Sequence, residues 1–141
     1  MGEPIVVEQD FDAPIEALWF AITDRDQMVQ WYFAEIGAFV PEVGFETEFS
    51  VPVEGDDIVH RWTVIDVVPL QRLTHTWRFD GIPGDGAVTW EISERGSGSA
   101  LRLTNTGLET FPQDNPLFTR EACEGGWRYF IGQRLKGFLD A

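Results

Sequence analysis

Hydrophobic and polar residues recur with two different periods along this chain, and each change of period marks a change of predicted element. Residues 5–11 are rich in β-branched side chains and predict a first strand. After them, apolar side chains with a helical period of about 3.6 residues predict a helix that begins around Pro14 and is capped by Asp12 or Ala13. A second short helix is predicted over about residues 25–33.

Beyond Gly37 the period becomes two, which is typical of strands that bury one face. This pattern predicts strands at residues 45–51, 58–68, 72–79, 87–94 and 100–107. The segments between most of them are short, so consecutive strands are predicted to pair in antiparallel fashion. Residues 80–86 are rich in glycine and contain a proline, which predicts a hairpin loop there.

Helical spacing returns near the end of the chain, where a long helix is predicted from about Pro116 or Thr119 to Leu139. Gly125 and Gly126 lie inside it, and each costs about 1 kcal/mol relative to alanine. They indicate either a kink or a close approach to another backbone or a ligand. The order of elements predicts one α+β domain over residues 1–141, in which a curved antiparallel sheet wraps around the C-terminal helix and leaves a cleft.

Aromatic residues bear on what this cleft contains. The chain has 6 Trp, 11 Phe and 2 Tyr, and each large ring buries about 150–250 Å². This many rings fits either a thick, filled core or a core that is partly hollowed into a pocket.

The charge balance and the absence of certain segments exclude several classes of partner. The formal charge of −14 repels phosphate backbones, so no nucleic-acid partner is expected. No apolar run approaches the roughly 18 residues of a membrane span. Cys123 is the single cysteine and the N-terminus lacks a signal-peptide pattern, which together predict a cytoplasmic protein without an intrachain disulfide.

Strand parity identifies candidate pocket walls, because alternate residues of a strand share a face. His75 and Trp77 share one face, and Trp90, Leu103 and Asn105 lie on the matching faces of the next two strands. These faces are assigned to the side under the C-terminal helix. The predicted ligand-binding residues are Trp31, Tyr32, Trp62, His75, Trp77, Trp90, Leu103, Asn105, Trp127 and Phe130. Trp31 and Tyr32 are expected at the cavity mouth.

A few polar side chains on these faces are candidates for chemistry. His75 and His60 are candidate catalytic residues, since a buried histidine can act as an acid or base near neutral pH. The alternative is a histidine that simply bonds a backbone carbonyl. Asn105 is expected to orient a group by hydrogen bonding, whereas Tyr32 and Tyr129 are expected to pack with their hydroxyls near water.

Other kinds of site find little support in the sequence. Cys123 stands beside Glu121 and Glu124, which do not provide the positive charge that lowers the pKa of a thiol. Two histidines and one cysteine form no local metal-ligand motif, and there is no phosphate-binding loop with its lysine. No metal and no cofactor are therefore expected.

Several segments in order match one known fold family. They are Phe11–Pro14, Leu18–Trp19, Ala21–Asp24, Trp31, Val64–Pro69, Arg72–Leu73, Ser99–Leu108 and Gly125–Trp127. In these segments the chain resembles the START-like (SRPBCC) superfamily, and within it the branch named for activators of the ATPase of the ninety-kilodalton heat-shock chaperone. Many relatives carry a histidine in the last strand where Asn105 stands here, so a role for that histidine does not carry over.

The resemblance implies a helix-grip fold of the START-like and Bet v-like type, whose cavity often takes a hydrophobic small molecule, but it implies no shared reaction. Binding of a small hydrophobic or aromatic ligand is the leading hypothesis. A polyketide cyclase-, aromatase- or hydrolase-like enzyme is the second, and a chaperone-activator-like interaction module is the third. A homodimer also stays open as a form of assembly.

Overall fold

A computed structural model describes residues 3–140, and a six-stranded antiparallel sheet is its largest element. Residues 1–2 and 141, at the two ends of the predicted domain, lie outside the described residues. The strands are β1 Ile5–Phe11, β2 Glu46–Val53, β3 Asp56–Val68, β4 Arg72–Phe79, β5 Ile82–Arg95 and β6 Gly98–Thr106. Their order across the sheet is β1-β6-β5-β4-β3-β2.

Two short helices follow β1, and a long helical segment closes the chain, so the predicted helix-grip fold is confirmed. The short helices are α1 Ile15–Thr23 and α2 Arg25–Trp31. The closing segment, here called the C-terminal helix, consists of α3 Arg120–Tyr129, a π-helical turn Phe130–Leu135 and α4 Lys136–Leu139. Two 3₁₀ turns, Leu108–Thr110 and Pro116–Phe118, lie between β6 and α3. Among the described residues, no helix is long and apolar enough to cross a membrane.

The start of α1 differs from the prediction that Asp12 or Ala13 caps it. The N-cap is Pro14, and no side chain of the cap residue bonds the helix. The backbone N–H groups of Asp12 and Ala13 instead donate to the carboxylate of Asp140, at 3.1 and 3.3 Å. Lys136 also donates to this carboxylate. The entry to α1 is thus held by the end of the C-terminal helix, a contact between residues far apart in sequence.

The predicted hairpin loop over residues 80–86 is wrong for most of its length. Only Asp80 and Gly81 form the turn, and β5 begins at Ile82. The pairing of β4 with β5 is irregular between Trp77 and Phe79, where the register advances two residues on β4 and four on β5. Such a break in regular pairing accommodates glycine and proline inside a paired segment.

The paired glycines of the C-terminal helix lie beside open space. A Cβ atom on Gly125 or Gly126 would meet no atom within 4 Å outside the local helix backbone. Close approach to another backbone therefore does not explain them. The π-helical turn begins only a few residues later, where the N–H of Phe130 donates to the carbonyl groups of both Gly126 and Trp127. The helix thus departs from regular α geometry shortly after the paired glycines.

The core fills most of the space between the inner face of the sheet and the helices. Its fully buried large side chains include Leu18, Ile22, Trp31, Trp62, Leu73, Trp90, Leu101, Leu103, Ile131 and Leu135. Trp31 is completely buried and its indole N–H donates to the carbonyl of Ala21 at 2.8 Å. Trp31 therefore lies in the core and not at the expected cavity mouth. Its indole N–H is satisfied there by a carbonyl of α1.

Candidate functional site

Among the described residues, a cavity with a volume of about 210 Å³ lies between the sheet and the C-terminal helix. Its sheet wall consists of Val53, Ile58, His60, Trp77, Phe79, Gly86 and Asn105. Its helix wall consists of Cys123, Gly126, Trp127 and Phe130, and the end of α2 adds Tyr32 and Phe33. The segment between β6 and α3 contributes Leu108, Phe111, Leu117 and Phe118. None of the described residues that line this cavity is Asp, Glu, Lys or Arg.

The outer face of the sheet carries wider grooves, but their lining differs from that of a small-molecule site. One of them is lined by alternating acids and arginines from β1, β4, β5 and β6. Arg72 pairs with Asp66, and Arg95 pairs with Asp10 at 3.3 Å. Such exposed ion pairs contribute little to stability, and this charged lining differs from the mostly apolar lining of small-molecule pockets. The inner cavity is therefore the candidate site.

Phe111, one of the residues that line the cavity, packs on glycines of β5. A Cβ atom on Gly84 would overlap the Phe111 ring, and a Cβ on Gly86 would lie 3.1 Å from it. The ring stacks on Phe118, with centroids 5.2 Å apart, and meets the edge of Phe79 at 5.6 Å. Because Gly84 and Gly86 have no side chains, the Phe111 ring can pack directly on β5.

Asn105 connects the sheet wall to the helix wall. Its Oδ1 accepts a hydrogen bond from the indole N–H of Trp127 at 3.1 Å. Its Nδ2 donates to the carbonyl groups of Ala87 at 3.1 Å and Thr106 at 3.4 Å. Both ends of the amide are engaged, so Asn105 fixes the orientation of the Trp127 ring against the cavity.

His60 lines the cavity from β3 with one ring nitrogen engaged. Its Nδ1 lies 3.1 Å from the carbonyl oxygen of Ile58, which can only accept, so Nδ1 carries the proton. Burial lowers the pKa of His60 to about 4, although the bond to Ile58 opposes this shift. The ring is therefore neutral at pH 7, and Nε2 is a lone-pair acceptor. Phe49 stacks on one side of the ring at 5.1 Å.

His75 lies outside the cavity, in the filled part of the core. Its Nδ1–H donates to the carbonyl of Thr76 at 3.0 Å, and its Nε2 accepts the indole N–H of Trp90 at 3.2 Å. Burial lowers the pKa of His75 to about 4, with the bond to Thr76 acting against it. Both ring nitrogens are engaged within the protein, which matches the structural alternative stated for a buried histidine.

Tyr32 lines the cavity at the end of α2, and its environment differs from the expectation. The hydroxyl was expected near water, but it is buried and has no hydrogen-bond partner within residues 3–140. The ring is stacked between aromatic neighbours, with Trp31 at 4.8 Å and the edge of Phe130 at 5.0 Å. Burial raises the pKa of Tyr32 well above its usual value, so it stays protonated. Tyr129 is exposed and lies outside the cavity.

The structure separates the predicted ligand-binding residues into two groups. Tyr32, Trp77, Asn105, Trp127 and Phe130 border the cavity, as does the candidate catalytic residue His60. Trp31, Trp62, His75, Trp90 and Leu103 lie in the core behind it. The sequence analysis did not single out the phenylalanine part of the wall, which consists of Phe33, Phe79, Phe111 and Phe118. For Phe79 a signal existed, since it shares the strand face of Trp77.

Cys123 borders the cavity without the features of a reactive thiol. Burial raises its pKa, and its Sγ lies 3.7 Å from the carbonyl of Leu117. Reactive cysteines have a lowered pKa. No group of three or more His, Cys, Asp or Glu side chains within residues 3–140 has the geometry of a metal site.

Comparisons with known proteins agree with the geometry. A family model described as "Activator of Hsp90 ATPase homolog 1-like protein" matches residues 12–140. No curated protein sequence is significantly similar to the chain.

Among solved structures, protein CV1439 of Chromobacterium violaceum is similar with a TM-score of 0.82 and 21% identity, over 99% of this chain and 98% of its own. DynU16, from the dynemicin biosynthetic locus, is similar with a TM-score of 0.77 and 24% identity, over 99% of this chain and 48% of its own. CalU16 of Micromonospora echinospora is similar with a TM-score of 0.72 and 25% identity, over 96% and 75%.

Proposed function

Because the chain belongs to the Activator of Hsp90 ATPase homolog 1-like family, and its helix-grip fold contains an aromatic cavity with no Asp, Glu, Lys or Arg among its described lining residues, we propose that it binds a small hydrophobic or aromatic molecule there. The observation that carries this proposal is the cavity of about 210 Å³ between the sheet and the C-terminal helix. Binding pockets of small molecules are concave and mostly apolar, with a few polar groups that set orientation.

The size and lining of the cavity limit the ligand. An engineered apolar cavity of about 150 Å³ in another protein binds benzene, so 210 Å³ suits a molecule of one or two rings. A charged group would be buried without an opposite charge, which is strongly unfavourable. We therefore propose a neutral ligand whose rings contact Trp77, Trp127 and Phe130.

Two glycines of the C-terminal helix provide a direct test with a matched control. Gly126 borders the cavity, whereas the neighbouring Gly125 does not, and both have open space beyond Cα. A Gly126→Leu variant places its side chain in the cavity, while Gly125→Leu places the same side chain on an exposed surface. Both changes also remove an unfavourable helix glycine, so both variants are expected to fold.

Binding is measured by an NMR titration with naphthalene, which follows the indole N–H signals of Trp127 and its neighbours. We expect saturable shifts in the wild type and in Gly125→Leu, and at least a tenfold weaker response in Gly126→Leu. The proposal would be refuted if neither naphthalene nor similar ring compounds bind the wild type in a saturable way. Equal binding by the two leucine variants would move the site away from this cavity.

An enzymatic role of the cyclase or hydrolase kind is the second candidate, and His60 is the observation that bears on it. Its Nε2 is a lone-pair acceptor on the cavity wall, as a general base requires. A pKa of about 4, however, makes this nitrogen a weak base at neutral pH. We therefore rank ligand binding above catalysis as the proposed function. Loss of turnover without loss of binding in a His60→Phe variant would reverse this order.

A further inference from the structure

Two side chains that border the cavity carry polar groups whose hydrogen-bonding capacity is not used up within the described residues. One is the hydroxyl of Tyr32, which is buried and unpartnered within residues 3–140. The other is Nε2 of His60, because Nδ1 of that ring already donates to Ile58. The other side-chain polar groups on the walls are engaged: the amide of Asn105 and the indole N–H of Trp127 bond each other or the backbone.

The unpartnered hydroxyl is costly, which makes it informative. A buried donor without a partner has lost its hydrogen bonds to water and gained none in the protein. A phenylalanine would fill the same space between Trp31 and Phe130 without that cost. The indole N–H of Trp62 is also buried and unpartnered within residues 3–140, but of the two side chains Tyr32 is the one that borders the cavity. A molecule in the cavity can therefore supply the partner that the Tyr32 hydroxyl lacks. Burial keeps this hydroxyl protonated, so it can donate to an oxygen acceptor.

We propose, on the basis of the proposed function, that the ligand is a neutral ring compound with a hydroxyl group, whose oxygen pairs with the Tyr32 hydroxyl. A ligand hydroxyl suits both groups on the wall, since its oxygen accepts from Tyr32 and a hydroxyl proton can be donated to an acceptor such as Nε2 of His60. A carboxylate does not fit, because no Lys or Arg is present among the described lining residues. Tyr32 thus determines specificity between hydroxylated rings and bare hydrocarbons.

The test compares two probes of nearly equal shape, 2-naphthol and naphthalene, on the intact chain. In the wild type, 2-naphthol is expected to bind more tightly than naphthalene. In Tyr32→Phe, the affinity for 2-naphthol is expected to fall by roughly 3- to 10-fold, the range of one net hydrogen bond, with naphthalene unchanged. Tyr129→Phe is the matched control, since it removes the same atom from an exposed ring outside the cavity.

Thermal unfolding distinguishes loss of recognition from loss of structure. Because the hydroxyl has no described partner in the protein, Tyr32→Phe is expected to be at least as stable as the wild type. A clear fall in Tm would reveal a partner within the protein and overturn the proposal. Equal affinity of the wild type for the two probes would also overturn it, as would a Tyr32→Phe variant that weakens both probes or neither.

Failure of the underlying proposal has a different outcome. If the wild type binds neither probe, the cavity is not a site for ring compounds, and the inference about Tyr32 falls with it. If naphthalene binds the wild type and Gly125→Leu but binds Gly126→Leu much more weakly, the cavity is supported as the binding site. In that case only the comparison of 2-naphthol with naphthalene decides whether Tyr32 recognises a hydroxyl.

Discussion

The two buried histidines make the stability of the fold depend on pH, and His75 permits a quantitative prediction. The perturbation is His75→Gln. It removes the titrating ring and keeps a side-chain oxygen that can accept the indole N–H of Trp90, the group that Nε2 of His75 accepts in the wild type. The variant therefore changes the proton balance and keeps a polar partner in the core.

The sign of the effect follows from where the proton binds. The pKa of His75 is about 4 in the folded protein and about 6.5 in an unfolded chain. Between these values the unfolded chain binds a proton that the folded protein does not, so stability rises with pH and is lost as the pH falls. The slope is about 1.4 kcal/mol per pH unit for one histidine.

This linkage gives a magnitude for a practical pH range. From pH 7 to pH 5 the contribution of His75 to the free energy of unfolding is expected to fall by about 1.8 kcal/mol. His60 has the same lowered pKa of about 4 and contributes a similar fall in both proteins. All titratable groups other than His75 are the same in the two proteins, so their contributions cancel when wild type and His75→Gln are compared at each pH.

Urea unfolding at pH 5, 6 and 7 and constant ionic strength measures this difference. The decrease in the free energy of unfolding between pH 7 and 5 should be about 1.8 kcal/mol smaller in His75→Gln than in the wild type. Val88→Ala serves as the control: it truncates a buried residue opposite His75 in the sheet, so it lowers stability but should keep the wild-type pH dependence. Parallel curves for the wild type and His75→Gln would refute a neutral, buried His75.

Three further predictions concern contacts that hold the site in place. Asn105→Ala should cost about 1–3 kcal/mol by leaving the indole N–H of Trp127 unpaired, and urea unfolding should show a smaller cost in a Trp127→Phe background; equal costs would contradict the pairing. Gly84→Ala should cost about 1–3 kcal/mol by overlap with the Phe111 ring, and a Phe111→Ala background should reduce that cost in thermal unfolding; an unchanged cost would assign the effect to the backbone alone. Asp140→Ala should lower stability by about 1–2 kcal/mol through loss of its hydrogen bonds at the start of α1; an unchanged urea midpoint would exclude this role.

Local patterns in the sequence were sufficient to predict the order of the elements and the face on which most strand residues lie. The bounds of β1 and β4 agree with the predicted strands. His75, Trp90, Leu103 and Asn105 are all on the buried face that parity assigned to them. This agreement has a simple cause, because the alternation of side chains along a strand is a property of the backbone itself.

The same patterns did not predict the irregular pairing of β4 with β5 or the contact that holds the start of α1. Residues 82–86 are rich in glycine and read as a loop, yet pairing with β4 extends β5 through them. The start of α1 is held by Asp140 and not by a neighbouring side chain. In both cases the partner is decided by how distant segments meet, and tertiary contacts outweigh local propensity.

The sequence by itself therefore determined a family, a sheet around a helix and a set of aromatic residues that face inward. Only the tertiary structure decided which of those rings fill the core and which border a cavity. Trp62 and Trp77 lie on neighbouring strands with the same inward orientation, yet Trp62 is 1% exposed in the core and Trp77 lines the cavity. The difference arises because the irregular C-terminal helix, the phenylalanines between β6 and α3, and the two glycines of β5 leave one volume unfilled, and that volume depends on contacts among residues far apart in the chain.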